Sequence, residues 1–173
     1  RKLVANPQPF DIRAMALEAI QGCPQPQRVR LTSPQTCAII SDSQLFSIVL
    51  MNLLENACKY SPPETPIDLA IQRTIPAEDL SPESSEIHWT IIVANTPGLA
   101  GWPDADRVFS KYYRSPGARR QSGTGLGLYV VQTLARTLSG RIDYLPDEYQ
   151  VRFVVHLRDL AGPSGQDQLL ASA

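Results

Sequence analysis

The sequence predicts a single α/β unit, and three observations carry that expectation. Apolar residues recur at helical spacing in three separate stretches, within 12–20, 45–57 and 128–138. Between and after them, apolar residues fall at every second position, within 67–71, 89–93, 142–145 and 151–157. A chain of 173 residues with 43% hydrophobic content fills one good core, so one domain over residues 1–160 is expected.

Taken in order, Pro9-Phe10-Asp11 leads into a helix of Ile12, Met15, Ala16, Ala19 and Ile20 that ends near Gly22. Residues 28–31 and 36–40 read as a hairpin-like strand pair. Ser41-Asp42 then offer capping oxygens to a helix over 41–60, apolar through Leu45, Ile48, Val49, Leu53 and Ala57. Ile67, Leu69 and Ile71 alternate as a strand, as do Trp89, Ile91 and Val93; the acidic, Ser/Pro-rich stretch 76–86 between them reads as an exposed hairpin loop. The last helix carries Leu128, Val131, Leu134, Ala135 and Leu138 and stops at Ser139-Gly140. Residues 142–145 and 151–157 close the sheet as a hairpin, and the polar tail 161–173 is expected to be disordered. No internal repeat is visible.

Two stretches carry chemistry. Gly123-Thr124-Gly125-Leu126-Gly127-Leu128 opens the last helix with a glycine at every second position. Such a run lets backbone approach a bulky anion, toward which free N–H groups and the positive end of the helix dipole point. The plain alternative is a flexible turn. On the helix over 41–60, Asn52, Asn56 and Lys59 are spaced i, i+4, i+7 and share one face. Two asparagines are costly on a mostly apolar helix unless they bond to something. A carboxamide oxygen suits Mg²⁺ and a lysine one turn on suits a phosphate. The plain alternative is a solvated stripe with a Glu55–Lys59 ion pair.

Together these stretches resemble the sensor histidine kinases. Asn52-Leu53-Leu54-Glu55-Asn56-Ala57-Cys58-Lys59-Tyr60-Ser61 is similar to their N box, Phe109-Ser110-Lys111-Tyr112-Tyr113-Arg114 to their F box, and Gly123 to Leu128 to their G2 box. The resemblance covers residues 8–158 and implies the catalytic ATP-binding domain. The implied fold is an α+β two-layer sandwich of the Bergerat type, a mixed β-sheet covered on one face by α-helices, with ATP under a mobile lid. By position, Asn56 resembles the Mg²⁺ ligand, with Asn52 on the phosphate side; Lys59 and Tyr60 resemble the residues that reach the phosphates and flank the nucleotide. Phe109 and Tyr112 resemble aromatic anchors of the lid base, and Arg114 an arginine that approaches the γ-phosphate. Gly123, Gly125 and Gly127, with Thr124, Leu126 and Leu128 among them, resemble the lid hinge that admits the phosphates. Residues 115–122 read as the lid, where Arg119 and Arg120 are candidates for phosphate or partner contact.

One motif departs from the family pattern. The strand that normally ends on an adenine-binding aspartate runs here into Ala94-Asn95-Thr96-Pro97-Gly98. Parity places Asn95 with Ile91 and Val93, which makes Asn95 the acceptor for the base; the ungapped alternative puts Ala94 there. Gly98 is the glycine left to bring backbone near the base. Asparagine keeps an acceptor but loses the charge.

The resemblance also implies what lies elsewhere. Neither His88 nor His156 sits beside an acid on a helix, so the phosphoacceptor histidine is expected on an adjoining dimerisation domain, with a response regulator receiver domain as the onward partner. No helical hairpin precedes residue 10, as though the catalytic module were cut from a larger sensor. The related ATPases place a glutamate where Asn52 stands, and a carboxamide cannot activate water, so a kinase is favoured over an ATPase. An anti-sigma-type serine kinase and a degenerate, partner-docking module are the alternatives. A net charge of −1 gives no case for nucleic acid or for direct membrane contact. No apolar run is long enough to cross a bilayer and no signal peptide opens the chain. Cys23, Cys37 and Cys58 lack metal spacing and point to a reducing cytoplasm, either free or as the cytoplasmic part of a membrane-anchored sensor.

Overall fold

In the computed structural model, residues 2–74, 88–118 and 121–160 are described. Five strands form a mixed sheet in the order β2-β4-β5-β7-β6: β2 Val29–Thr32, β4 Ile67–Thr74, β5 His88–Asn95, β7 Val151–Arg158 and β6 Arg141–Tyr144. The β2–β4 pair is parallel and the other three are antiparallel. Three helices, α1 Ile12–Gly22, α2 Ser43–Tyr60 and α3 Gly127–Thr137, cover one face. Helix α2 lies between the other two and over β4 and β5, while α3 lies over β6 and β7. The two-layer α+β arrangement is the one the resemblance implies.

Register explains which face is covered. Leu69, Val93 and Phe153 stand abreast across β4, β5 and β7, as do Ile71, Ile91 and Val155, and all are buried. Because side chains alternate, these rows project to the helix side together. The next row toward the strand end is Ile67, Asn95 and Val151, so Asn95 is a polar residue placed in an apolar row. From above, Phe46, Leu50, Leu53 and Leu54 of α2 fill the core.

Helix starts follow capping chemistry. Asp11 Oδ1 accepts from Ala14 N (2.9 Å) and Asp42 Oδ1 from Leu45 N (3.0 Å), satisfying N–H groups that have no intrahelical partner. At the far end of α3, Ser139 takes the left-handed conformation (φ 58°), and Gly140 N closes the end onto Ala135 O at 2.9 Å. A side chain at Gly140 would run into the His156 carbonyl, so this glycine is needed for close packing rather than for its φ.

Two expectations are corrected. Residues 28–31 and 36–40 do not form a hairpin. Strand β2 pairs with β4, and β3 (Ala38–Ser41) pairs antiparallel with β1 (Gln8–Asp11) in a separate two-stranded sheet. The cause lies at Asp11, whose Oδ2 accepts from Cys37 N (2.7 Å) while Ile12 N donates to Cys37 O (2.9 Å), drawing β3 to the start of α1. Ile48, counted on the apolar stripe of α2, is 45% exposed; Phe46, Leu50 and Leu54 take its place because α2 is buried on two sides. The expected loop 76–86, tail 161–173, and Arg119 and Arg120 lie outside the described residues. Among the described residues, no helix is long and apolar enough to cross a membrane.

Candidate functional site

The C-terminal half of α2 forms one wall of a cleft with about 260 Å³ of internal space. The i, i+4, i+7, i+8 spacing brings Asn52, Asn56, Lys59 and Tyr60 onto that wall. Gly123, Thr124 and Gly125 line it too, followed by Gly127 and Leu128 in the first turn of α3. Asn95 and Arg114 line the same space.

Charge is distributed unevenly around this space. The Lys59 ammonium lies 5.1 Å from the centre of the Tyr60 ring and beside Gly123, where any side chain would displace it. Among the described residues no ion pair joins Lys59 to Glu55, so the solvated salt-bridge alternative for this face is not realised. Helix α3 begins at Leu126 without a side-chain cap, which leaves its N-terminal N–H groups and the positive end of its dipole at the cleft. Asn52 sits close to that end: its Nδ2 donates to Ile48 O (2.8 Å), and a Cβ on Gly127 would meet its Oδ1 at 3.2 Å. A lysine, an arginine and an uncapped helix start facing one cleft are a receptor for a polyanion.

Residues 100–118 and 121–125 contribute further lining. Gly98 does not line the cleft; its N donates to Tyr60 O at 2.9 Å, and it packs against the end of α2. Gly125 adopts φ +71°, with the Tyr112 backbone within about 3 Å of where a Cβ would be, so the two ends of the lid meet there. Arg114 Nη2 donates to Ala118 O (2.6 Å) and to Gln121 O, while its Nε is buried without a hydrogen-bond partner. The arginine therefore staples the lid to its own base.

Placement separates the sequence candidates. Asn52, Asn56, Lys59, Tyr60, Asn95, Arg114, Gly123, Thr124, Gly125, Gly127 and Leu128 converge on the cleft; Gly98, Phe109, Tyr112 and Leu126 do not line it. Phe109 packs edge-on to Phe153 (6.1 Å between ring centres), beneath the loop. Tyr112 takes a left-handed turn (φ 60°) and is 71% exposed, whereas its neighbour Tyr113 lines the cleft, its Oη accepting from Asp104 N at 2.9 Å. Ala94 is buried and lies outside the lining, so Asn95 is the residue at the cleft, as parity predicts. Its Nδ2 donates to Thr96 O (2.9 Å), which leaves Oδ1 as the free acceptor.

Sequence reasoning missed Tyr113, Gly101 and Val151 in the lining and left Glu55 as a surface charge. Only the Glu55 position carried a signal, three residues from Asn52 on the same helix side. Val151 enters because β7 pairs with β5 opposite Asn95, which no local pattern reveals.

Residues 41–160 match the family model described as "Histidine kinase-, DNA gyrase B-, and HSP90-like ATPase". Over 107 residues the chain is 31% identical to the signal transduction histidine-protein kinase/phosphatase MprB of Mycobacterium sp. (strain KMS), covering 60% of this chain and 18% of that protein. Over 140 residues it is 26% identical to the swarming motility regulation sensor protein RssA of Serratia marcescens, covering 80% of this chain and 28% of that protein. The chain thus spans less than a third of the length of these relatives. In structure it is similar to the mycobacterial sensor histidine kinase MprB (TM-score 0.67, 21% identity, 89% of this chain and 98% of that one). It is also similar to full-length ShkA in complex with AMPPNP (TM-score 0.66, 16% identity, 94% of this chain and 33% of that one). With the family model matched over most of its length, the chain belongs to the histidine kinase-, DNA gyrase B- and HSP90-like ATPases, as an ATP-binding domain of the histidine-kinase type.

Proposed function

We propose that this domain binds Mg²⁺·ATP and transfers the γ-phosphate to a histidine on an adjoining dimerisation domain of a sensor kinase. One observation carries the reading: Asn56 and Lys59 line a single cleft together with Gly127 and Leu128 at the uncapped start of α3. The similarity to MprB and RssA supports the kinase assignment.

Asn56 fits Mg²⁺ by the chemistry of its donor. Among the described residues no cluster of three His, Cys, Asp or Glu exists, so a resident all-protein metal cage is not what this cleft offers. Magnesium characteristically takes one or two protein oxygens and completes its shell with phosphates and water, which one carboxamide in a polyanion cleft satisfies. Bound there, it supplies positive charge to the phosphate oxygens. Lys59 adds a point charge beside Gly123, and the first N–H groups of α3 give fixed donors that need no reorganisation. Arg114 lines the same cleft and brings its positive charge to it while Nη2 holds the lid. Asn95 Oδ1 accepts from the exocyclic amine of adenine. One turn before Asn56 stands Asn52, which takes no proton from water, so phosphate is kept for a protein acceptor.

The acceptor histidine, the receiver domain of a response regulator and a cytoplasmic setting complete the proposal. Calorimetric titration with ATP, ADP and GTP, with and without Mg²⁺, tests it. Mg²⁺-dependent, adenine-selective binding is expected, followed by phosphorylation of a separately supplied dimerisation domain. Absence of binding by every nucleotide leaves a docking module and removes the kinase reading.

A further inference from the structure

Behind the wall of the cleft stands a charged residue that no nucleotide would touch. Arg28 ends the 3₁₀ turn Pro26–Arg28 and is only 9% exposed. Its Nε donates to Thr65 O (2.8 Å), and Nη2 donates to Ser61 Oγ (2.5 Å), Pro62 O (2.8 Å) and Thr65 Oγ1 (3.5 Å). The remaining nitrogen, Nη1, donates to Gln25 Oε1 and to Cys58 O (3.5 Å). Every acceptor is neutral, and among the described residues no carboxylate pairs with this guanidinium.

A buried cation without a counter-ion is costly unless fixed dipoles replace its hydration. Here the dipoles are those of the C-terminal end of α2 and the turn after it, where carbonyls lack intrahelical partners and partial negative charge accumulates. Ser61 Oγ, itself an acceptor for Arg28, donates to Ala57 O at 2.6 Å, so the guanidinium reaches a second helix carbonyl through a hydroxyl. Planar, with five donors, it ties Cys58, Ser61, Pro62 and Thr65 into one unit that a single ammonium would not reproduce.

That unit is the last turn of the helix that presents Lys59 and Tyr60 to the cleft. From the cleft side the same turn is held by Gly98 N on Tyr60 O. The turn is thus gripped from both sides, and neither grip occupies ligand space. We propose that Arg28 is a positioning residue of the nucleotide site: through the end of α2 it sets where Lys59 and Tyr60 stand relative to the phosphates. The inference rests on the nucleotide reading above. Its size follows from the sensitivity of such sites, where a shift of about 1 Å costs up to ~10²-fold.

The test compares Arg28→Met, Arg28→Lys and a core control, Val155→Ala, whose side chain is buried away from the cleft lining. Three quantities are read: unfolding temperature, amide hydrogen exchange without nucleotide, and Mg²⁺·ATP affinity. Arg28→Met is expected to speed exchange at residues 58–61 selectively over residues 49–53, and to weaken Mg²⁺·ATP binding about ten-fold, with Arg28→Lys intermediate. Val155→Ala lowers the unfolding temperature and leaves both other readouts near wild type. Should Arg28→Met lose stability while its affinity tracks the control, the residue is merely structural and the proposal is overturned. If Arg28→Met fails to fold, Arg28→Lys decides by the same two readouts. A wild-type domain that binds no nucleotide removes the kinase reading and, with it, the positioning role, whereas unaltered exchange at 58–61 overturns the Arg28 assignment alone.

Discussion

Replacing Asn95 by aspartate puts an acid where the proposed function places the adenine contact, and its expected consequences have opposite signs in the free and the nucleotide-bound protein. Asn95 is 3% exposed and its Nδ2 donates to Thr96 O at 2.9 Å. An aspartate at this position loses that donor and turns a carboxylate oxygen toward a carbonyl, in a row shared with Ile67 and Val151. Losing one hydrogen bond and desolvating the charge lowers the stability of the free domain by roughly 1–3 kcal/mol. When adenine is bound, its exocyclic amine donates to the carboxylate, and the bond becomes charge-assisted. That gain is about 1 kcal/mol, so ATP affinity rises about fivefold. Guanine presents an acceptor where adenine presents the amine, so GTP gains nothing. Scanning calorimetry reads the stability change and isothermal titration reads the affinities. A folded Asn95→Asp domain with unchanged or weaker ATP binding would show that Asn95 does not face the base.

Other perturbations probe separate parts of the site. Asn56→Ala is expected to leave the circular dichroism spectrum and unfolding temperature within a few degrees of wild type, while Mg²⁺-dependent ATP binding disappears; retained Mg²⁺ dependence places the metal elsewhere. Gly125→Ala forces a side chain into φ +71° against the Tyr112 backbone, so stability falls by roughly 1–3 kcal/mol, and an unchanged unfolding temperature would refute the tight lid neck. His156 concerns stability alone. Burial, then Arg141, holds its pKa below the ordinary 6.5, against the upward pull of Asp143 at 3.1 Å. The unfolded chain therefore binds this proton more readily than the folded one. Stability is full above pH 6.5 and falls as pH drops through the folded pKa; His156→Gln should flatten that slope in denaturant titrations.

How much of this was legible in the sequence depended on whether the signal was local. Helix α2 announced itself because a cap, an apolar stripe and a polar stripe are all written within one turn-by-turn period, and α3 announced itself by the apolar stripe after its glycines. Asn95 was legible by strand parity, since alternation survives whatever the strand pairs with. Pairing itself was not. Residues 28–31 and 36–40 are equally good strands in a hairpin or in two different sheets, and the choice was made by Asp11 gripping Cys37 and by Arg28 gripping residues 61–65, contacts that span 26 to 37 positions. The same limit governs the site. Its front, the residues that face the cleft, repeats at helical and strand periods; its back, where Arg28 and Gly98 hold the end of α2, is assembled from residues whose spacing carries no period. A buried arginine at the edge of a short strand reads as a solvated charge until the helix end that neutralises it is in view. For this domain, then, motif residues identify the chemistry, while the groups that fix their geometry become visible only when the paths of β2, α2 and the loop after β5 converge.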